Sequence, residues 1–482
     1  MTVSQLDSQA SPLPIAVIGA GPVGLVAAAH LVERGETPLI LEAGDQVGAA
    51  VREWAHVRLF SPWKHLTDPV THRMLEASGW SAPDGERLPT GGELVDRFLE
   101  PLAALPTIAP HLRLGRRVVA VTRKGMDKVK TAGRDNVPFE LVVRTDDGAT
   151  ERHEARAVID ASGTYATPNP LGAGGVRAAG EAKLRGRIHY GIPDVFGRDQ
   201  HLHAGHRTLV VGSGHSAFNT VLDLIRLAEN APGTEVLWAI RRKEPGLMFG
   251  GGEEDALPAR ASLGTRLKEL VESGTVEFVT GFRIHRLEEG DDGVVVEGQD
   301  GRLLGPVDRV VATTGFRPDL ELLRELRMDL DPWLEAPSRL APLIDPNLHS
   351  CGTVSPHGYQ ELKHPESGVF VVGMKSYGRA PTFLLLTGYE QVRSVVCALT
   401  GDMEGASEVR LELPETGVCV TDQPDSACDE EAPGVDVAGE GCGAAVPGGS
   451  TASSKQTAVV GSREAYLNVR GVTSRSRGEC CG

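Results

Sequence analysis

Residues 15–24 read Ile-Ala-Val-Ile-Gly-Ala-Gly-Pro-Val-Gly, an apolar run that passes directly into a G-x-G-x-x-G turn. An apolar, helix-like segment follows to about residue 33, and a second strand-like run covers residues 37–41. In such a βαβ unit, Gly19 makes the tight turn, Gly21 lets a pyrophosphate approach the backbone, and Gly24 lets helix and strand pack closely. The helix N-terminus then faces the phosphates, so the pattern predicts a dinucleotide-binding site.

A carboxylate follows at the position where the ribose of such a nucleotide is recognised. Glu42 ends the strand after the glycine turn, 23 residues beyond Gly19. A carboxylate there accepts hydrogen bonds from both ribose hydroxyls and repels a 2′-phosphate. The first site is therefore predicted to bind FAD or NAD and not NADP. The alternative interpretation is a plain glycine turn that binds no ligand, and the presence of Glu42 disfavours it.

A second glycine turn begins at Gly212. Residues 212–217 read Gly-Ser-Gly-His-Ser-Ala and stand between a strand-like run and a helix-like segment. In this G-x-G-x-x-A pattern Gly212 and Gly214 take the turn and phosphate positions, Ser216 lies in the first helical turn, and Ala217 still permits close packing. Two such units in one chain predict two nucleotide sites.

The ribose position of the second unit carries positive charge. Arg241 and Arg242, followed by Lys243, come directly after the next strand-like run at residues 235–240. Guanidinium groups offer planar donors to a 2′-phosphate, so the pattern favours NADPH over NADH. The alternative interpretation is a solvated charged loop.

The order of these patterns predicts an α/β fold with two Rossmann-like dinucleotide-binding domains, for FAD and NADPH, the second inserted in the first. Further strand-like runs predict a parallel sheet with small antiparallel additions; they cover residues 142–144, 157–159, 294–297, 307–312 and 369–372. The predicted segments are the first part of the FAD-binding domain at 12–170, the NADPH-binding domain at 200–315, the return segment of the FAD-binding domain at 316–402, and a disordered, cysteine-containing tail at 420–482.

Composition restricts the partners. The net charge of −16 argues against nucleic acid and anionic membranes, since both attract basic surfaces. No apolar run is long enough to predict a membrane span, and no signal peptide is expected. The seven cysteines, none of them in the first 350 residues, favour a reducing cytoplasm over a disulfide-bonded secreted protein. The sequence leaves open whether the protein forms a homo-oligomer.

Three further segments carry a resemblance to a known family. Residues 161–165 (Ala-Ser-Gly-Thr-Tyr) and 312–315 (Ala-Thr-Thr-Gly), each with a proline three residues further on, resemble the linker motifs of two-dinucleotide-binding-domain flavoproteins. Residues 368–373 (Gly-Val-Phe-Val-Val-Gly) are similar to the late strand that closes over the flavin, which implies a cofactor-binding role for Gly373. Within that family the pattern is similar to flavin-containing monooxygenases.

A narrower resemblance is to FAD-dependent flavoproteins of bacterial arsenic-resistance operons. It rests on residues 51–63, 249–264, 350–358 and 373–385. Met374 departs from the family, many of whose members have an aspartate there that contacts the ribityl chain, and residues 183–190 match the monooxygenase signature only loosely. No C-x-x-C or C-x-x-x-x-C lies near either glycine turn, which disfavours the disulfide reductases of the superfamily.

The resemblance implies a reaction in which NADPH reduces FAD and O2 then oxygenates a small-molecule substrate. The expected substrate is a soft nucleophile that reacts at sulfur, nitrogen or the trivalent arsenic of an organoarsenical. One alternative is an NADPH-dependent flavin reductase of a metal, metalloid or quinone without oxygen insertion. Another is a non-enzymatic flavin-bound redox sensor or thiol trap.

The sequence assigns no catalytic residue, because the cofactor performs the difficult chemistry. Candidates for the pocket are Trp63 and Lys64, in an aromatic-rich segment, and Cys351. The alternative interpretations are that the aromatic segment fills a core and that Cys351 is an inert buried thiol. Cys480 and Cys481 form a vicinal thiol pair near the end of the sequence. Thiolates are the ligands that soft metalloids prefer, so this pair is a candidate As(III) site; the alternative is two incidental thiols.

Overall fold

Two parallel five-stranded sheets organise the described part of the chain, which comprises residues 13–244, 246–249, 258–349, 357–381 and 383–411 of this computed structural model. The strands are β1 (Ile15–Ile18), β2 (Pro38–Leu41), β3 (Leu112–Arg113), β4 (Arg116–Arg123), β5 (Phe139–Thr145), β6 (Thr150–Ala155), β7 (Ala157–Asp160), β8 (Ile188–Tyr190), β9 (Arg207–Val211), β10 (Glu235–Ala239), β11 (Glu277–Val279), β12 (Ile284–Gly290), β13 (Gly293–Gly298), β14 (Leu303–Val307), β15 (Arg309–Ala312) and β16 (Val369–Val371).

The α-helices are α1 (Pro22–Glu33), α2 (Ala49–Arg52), α3 (Pro69–Ala77), α4 (Gly91–Leu94), α5 (Glu100–Ala103), α6 (Gln200–His203), α7 (His215–Ala228), α8 (Pro258–Glu272), α9 (Ala341–Ile344), α10 (Tyr359–Leu362), α11 (Leu385–Leu399) and α12 (Met403–Ser407). Short 3-10 turns include Trp63–His65 and Gly373–Tyr377. Among the described helices, none has both the length and the apolar character that a bilayer crossing requires.

The first sheet has the strand order β16-β7-β1-β2-β3, with all neighbours parallel. All four residues of β1 are buried, as expected of a central strand covered on both faces. Helix α1 is buried continuously from Val23 to Leu31, because it packs between this sheet and α11. Ala27, Ala28 and Ala29 allow the close approach that this sandwiched position needs.

The second sheet has the order β11-β10-β9-β15-β8 and is also parallel throughout. Its strands β8 to β15 lie in sequence between β7 and β16, which are neighbours in the first sheet. The second Rossmann-like unit is thus inserted in the first, which confirms the predicted fold class.

The two remaining sheets are small and antiparallel, with orders β4-β5-β6 and β12-β13-β14. They are the antiparallel additions that the sequence predicts. The predicted run at 307–312 is divided: Val307 pairs with Val294 in an antiparallel sheet, whereas Arg309 pairs with Thr208 in a parallel one. Asp308 makes the division, because its carboxylate accepts the Arg207 N–H at 2.8 Å and so directs the chain onto β9.

Two linkers connect the units side by side. The linker after β7 and the linker after β15 meet in an antiparallel bridge between Pro168 and Phe316. Asn169 donates its N–H to the carbonyl oxygen of Gly315 at 2.9 Å. The rings of Tyr165 and Phe316 stack with 4.9 Å between centroids. The chain therefore enters and leaves the inserted unit at one place.

Candidate functional site

The first glycine turn lies at the carboxyl end of β1, against the chain that leaves β7. Gly19 has φ +100°, and a Cβ there would lie 2.9 Å from the Ala161 carbonyl oxygen. A Cβ at Gly24 would collide with the carbonyl oxygen of Gly19, so helix and strand touch at this point. At Gly21 nothing lies within 4 Å of an added Cβ. The turn is therefore closed on its protein side and open at the one glycine where a pyrophosphate would approach.

Glu42 is held in place by this turn. Its Oε2 accepts the Ala20 N–H at 2.6 Å and its Oε1 accepts the Gly44 N–H at 2.8 Å. Each carboxylate oxygen can accept a further hydrogen bond, so the anchored group retains capacity for two ribose hydroxyls. Among the residues present, Gly21 and Glu42 thus fit the pyrophosphate and ribose of a dinucleotide.

The second glycine turn repeats the arrangement at the carboxyl end of β9. Gly212 has φ +139°, and a Cβ there would collide with Thr313 Oγ1, in the linker that leaves β15. An added Cβ at Gly214 meets nothing within 4 Å, and Ala217 is fully buried against the sheet. Ser216 is half-buried in the first turn of α7. Like the first turn, this one is open where phosphates would lie.

Both helices that follow these turns can attract an anion. Neither α1 nor α7 has an acidic residue in its first turn or a side-chain hydrogen bond at its N-cap glycine. Their first N–H groups point along the helix axis toward the glycine turn, where the helix dipole favours negative charge. This is the local structure of a phosphate-binding helix N-terminus.

The basic residues Arg241 to Lys243 follow β10, the strand that corresponds to β2 of the first unit. Arg241 and Lys243 are exposed, and Arg242 is half-buried. The nearest described contact of the Arg241 guanidinium is a long one, 3.5 Å from Nη1 to the Ala173 carbonyl oxygen. Gly281 donates its N–H to the Arg242 carbonyl oxygen, which holds this loop against the second sheet. The Arg241 guanidinium is thus accessible to a ligand, and its described contacts contribute little to the fold.

Aromatic residues connect the two nucleotide units. Phe60 meets the His215 ring edge to face with 5.3 Å between centroids, and His215 is the first residue of α7. His215 in turn contacts Phe218 at 5.6 Å. Burial raises the pKa of Tyr165, in the first linker, above its usual value, so its hydroxyl stays protonated. These contacts bring the segment after α2 onto the second glycine turn.

The return segment reaches the first glycine turn through Gly373. Gly373 has φ +69°, and its added Cβ would lie 3.1 Å from Val23 in the first turn of α1. Its N–H donates to Gln391 Oε1 of α11 at 2.7 Å, and Gln391 Nε2 donates to Ser376 Oγ at 2.9 Å. Gly373 is therefore fixed at the same sheet edge as Gly19, against the first turn of α1.

Two residues here were not singled out from the sequence. Lys375 is fully buried, and its Nζ lies 2.7 Å from Asp160 Oδ2, at the end of β7. The available signals were a lysine directly after a buried strand and an aspartate that ends the apolar run Ala-Val-Ile-Asp. Met374, beside Lys375, is half-buried, so the buried carboxylate at this edge comes from β7 and not from position 374.

The pocket candidates from the sequence lie in different surroundings. Trp63 is 2% exposed within the main core, and its Nε1 is buried without a hydrogen-bond partner in the described part of the chain. Lys64 is exposed, and its Nζ pairs with Glu86 at 2.8 Å. Burial and the charge of Lys64 lower the pKa of His65, which favours the neutral imidazole. Trp63 and Lys64 are adjacent in sequence but face a core and the solvent respectively.

The cysteines of interest lie outside the described residues: Cys351, Cys480 and Cys481, and with them the predicted tail. The described ranges contain one free thiol, Cys397, which is buried on α11. Within the same ranges no cluster of three metal-ligating side chains occurs. His357, close to Cys351 in sequence, is buried, with its Nε2 2.9 Å from Gln391 Nε2.

Two family models match the chain over the segments that carry the site. The model of an NAD(P)-binding Rossmann-like domain matches residues 17–74, which include the first glycine turn. The model of a pyridine nucleotide-disulphide oxidoreductase matches residues 126–348, which include the second. Residues 126–348 contain no cysteine, so they cannot form the disulfide for which this family model is named.

Curated relatives include two kinds of enzyme. The chain is 26% identical over 390 residues to a ferredoxin–NADP reductase of Gluconacetobacter diazotrophicus, covering 80% of this chain and 90% of the relative. It is 25% identical over 283 residues to a flavin-containing monooxygenase of Arabidopsis thaliana, covering 50% of this chain and 57% of the relative.

Solved structures share the fold. The bacillithiol disulfide reductase of Bacillus cereus aligns with a TM-score of 0.60 at 18% identity, over 81% of this chain and 99% of that one. The FAD-bound cadaverine monooxygenase of Erwinia amylovora aligns with a TM-score of 0.56 at 15% identity, over 86% of this chain and all of that one. The two glycine turns, the inserted topology and these matches agree: the chain is similar to the two-dinucleotide-binding-domain flavoproteins and is an oxidoreductase that uses FAD and NADP(H).

Proposed function

We propose that this protein is an NADPH- and FAD-dependent monooxygenase that oxygenates a small soft nucleophile at sulfur, nitrogen or trivalent arsenic. The observation that carries the proposal is the position of the cysteines: none precedes Cys351, so neither glycine turn has a dithiol close in sequence. This favours direct transfer of electrons from the flavin to the acceptor over transfer through a thiol pair beside the flavin. The monooxygenase among the curated relatives supports oxygen as the acceptor.

In this proposal the two nucleotides occupy different turns. FAD lies on the Gly19 turn, with Gly21 next to the pyrophosphate and Glu42 on the ribose. NADPH lies on the Gly212 turn, with Gly214 next to the pyrophosphate and Arg241 on the 2′-phosphate. The opposite charges of Glu42 and Arg241 support this assignment, because a carboxylate repels the phosphate that a guanidinium attracts.

FAD, when bound, supplies the redox chemistry: it accepts a hydride from NADPH and can pass electrons on to oxygen. The residues of this chain bind, orient and shield. Glu42 and Arg241 distinguish the two nucleotides, while Phe60 packs on His215, the first residue of α7. The proposed reaction does not require any described residue to act as a general acid or base.

Oxygen incorporation tests the proposal. The purified FAD-loaded protein is mixed with NADPH, air labelled with 18O2, and in turn a thioether, a secondary amine and a trivalent organoarsenical. We expect one of these to accelerate both NADPH oxidation and oxygen uptake in equal amounts and to gain one labelled oxygen atom. Accelerated NADPH oxidation without labelled product from any of the three would contradict the monooxygenase assignment.

A reductase without oxygen insertion is the second candidate, and the ferredoxin–NADP reductase relative is the observation that favours it. Such an enzyme would pass electrons to a metal, a metalloid, a quinone or a redox protein. The net charge of −16 disfavours an acidic carrier protein, because like charges repel on approach. Anaerobic turnover of NADPH with a quinone or a metal ion, at a rate equal to the aerobic one, would favour this candidate.

The arsenical substrate class rests on the resemblance and on Cys480 and Cys481. A Cys480→Ser/Cys481→Ser variant tests whether the pair delivers As(III). We expect weaker As(III) binding and slower turnover of the organoarsenical, with thioether turnover unchanged as the internal control. Unchanged As(III) binding in this variant would remove the pair from the proposal.

A further inference from the structure

A buried ion pair joins two neighbouring segments, one packed against the first glycine turn and the other against the start of α1. Lys375 Nζ lies 2.7 Å from Asp160 Oδ2, and both side chains are 0% exposed. Lys375 Nζ also donates to Ser162 Oγ at 3.0 Å. Asp160 Oδ1 accepts from the N–H of Ser162 at 3.1 Å and from its Oγ at 2.6 Å. The described contacts satisfy both carboxylate oxygens and two of the three ammonium hydrogens.

Such a pair is expensive to bury. Removing two charges from water costs several kcal/mol per ion, and a pair of well-packed apolar side chains often stabilises a fold equally well. A fully buried lysine and aspartate at one sheet edge therefore suggest a purpose other than stability. Their position within the sheet indicates that purpose.

Both partners adjoin the Gly19 turn. Asp160 pairs in register with Ile18, the residue before Gly19, and the following residue, Ala161, is the one whose carbonyl oxygen would contact a Cβ at Gly19. Lys375 lies two residues beyond Gly373, which packs on Val23 in the first turn of α1. The ion pair thus ties the exit of β7 to the exit of its neighbour β16, next to the turn.

We propose that Lys375 is a positioning residue for the flavin nucleotide: its ion pair with Asp160 fixes the exits of β7 and β16, which pack on the Gly19 turn and on the start of α1, in the arrangement that FAD requires. The inference rests on the proposed placement of FAD on that turn. It does not depend on whether oxygen, a metalloid or a quinone accepts the electrons.

The same strand offers a matched control at its other end. Glu366, three residues before β16, is buried and ion-paired, with its Oε1 2.8 Å from Arg123 Nε and its Oε2 2.8 Å from Arg134 Nη2. Its side chain is 1% exposed, compared with 0% for Lys375. The two ion pairs are alike in burial, but only the Lys375 pair lies at the carboxyl edge beside the glycine turn.

The test compares FAD binding with protein stability in four variants: Lys375→Met, Asp160→Asn, the double variant, and Glu366→Gln. The FAD dissociation constant is obtained from the recovery of flavin fluorescence on dilution, and the stability of each FAD-free protein from urea unfolding. The visible absorbance bands of the bound flavin give a third readout, which reports the surroundings of the ring system.

We expect Lys375→Met to raise the FAD dissociation constant about tenfold or more and to shift the flavin bands. The double variant leaves no unpaired buried charge, so its stability should recover while its FAD affinity stays low. Glu366→Gln should lose stability and keep the FAD dissociation constant within about twofold of the unaltered protein. The double variant keeps the test valid if Lys375→Met fails to fold.

Two results would overturn the inference. One is a Lys375→Met or double variant with unaltered FAD affinity and spectrum. The other is a loss of FAD affinity that follows stability in all four variants, Glu366→Gln included. A Gly21→Ala variant distinguishes the role of Lys375 from the placement of FAD. If Gly21→Ala retains FAD, the placement of FAD on the Gly19 turn is wrong. If Gly21→Ala loses FAD and the Lys375 variants retain it, only the role of Lys375 is wrong.

Discussion

The ring of Phe60 meets the ring of His215 edge to face, with 5.3 Å between centroids and 63° between planes. Phe60 follows the first βαβ unit in sequence, whereas His215 opens α7, directly after Gly214. An edge-to-face aromatic contact of this kind contributes about 0.5 to 1.5 kcal/mol. The segment after α2 is thereby held on the turn where we propose that NADPH binds, and this contact is open to direct test.

Phe60→Ala should weaken NADPH binding about two- to tenfold, the factor that corresponds to losing one aromatic pair. The ring orders the first turn of α7, whose N–H groups would bind the pyrophosphate. The dissociation constant is measured from the rate of anaerobic flavin reduction as NADPH is varied. Phe196→Ala is the control, because Phe196 is 47% exposed and contacts Arg226 instead. Tighter NADPH binding in Phe60→Ala would mean that the ring blocks the turn.

Arg241→Ala should change coenzyme choice. Hydrogen bonds to charged groups contribute about 1.5 to 3 kcal/mol, so the NADPH dissociation constant should rise roughly tenfold or more while that of NADH stays nearly constant. Folding should be little affected, since within the described residues the guanidinium makes only a long contact, with Ala173. Lys243→Ala, at an exposed residue two positions further on, is the matched control. Equal losses for NADPH and NADH would contradict a 2′-phosphate contact.

Alanine at three glycines should separate ligand binding from folding. Gly21→Ala and Gly214→Ala place a methyl group where nothing lies within 4 Å, so both proteins should fold normally. We expect the first to lose FAD affinity and the second to lose NADPH affinity, because the methyl group occupies the space of the pyrophosphate.

Gly24→Ala is the contrasting variant, since its Cβ would collide with the carbonyl oxygen of Gly19 and displace α1. Overpacking of this kind costs about 1 to 3 kcal/mol, so its melting temperature should fall. Nucleotide titrations and thermal unfolding are run on all three variants. If Gly214→Ala leaves NADPH binding intact, the coenzyme lies elsewhere.

Mild acid should destabilise the inserted unit through His203. This histidine is 1% exposed, its Nδ1 lies 3.0 Å from Thr208 Oγ1, and burial, followed by the nearby His189, lowers its pKa to about 4. The folded-state pKa lies below the unfolded value of about 6.5, so the neutral ring stabilises the fold above that pH, and this contribution is lost as the pH falls toward 4.

We expect His203 to account for a decrease on the order of 3 kcal/mol in the free energy of unfolding across that interval. Urea unfolding of the unaltered protein and of His203→Gln at several pH values measures it. The variant should show a flatter dependence on pH. Parallel curves would rule out His203 as the group responsible.

Local patterns were sufficient to predict the two βαβ openings. The run 15–24 and the turn at Gly212 each place strand, turn and helix within a few residues, and the structure has β1, α1, β9 and α7 there. Glu42 lies beside the first turn because its distance from Gly19 is set by one helix and one strand. Contacts of this range depend on backbone geometry that adjacent residues determine.

The remaining contacts were not predictable because they join segments that are distant in sequence. Lys375 meets Asp160 only because β16, which follows the whole inserted unit in sequence, returns to pair with β7. Phe60 and His215 come from different units. The run 307–312 is divided at Asp308 because the residues before and after it pair in two different sheets. The apolar pattern of the run does not indicate which sheet each residue joins.

The bridge between Pro168 and Phe316 gives the protein a modular construction. Since the inserted unit has its entry and exit side by side, a few residues would suffice to join the linkers directly, and the first sheet would keep its β7–β16 neighbours. A complete coenzyme-binding cassette from a relative could be transplanted at the same two cut points. Swapping the inserted unit is therefore a route to altered electron donors that leaves the part of the chain around the first sheet unchanged.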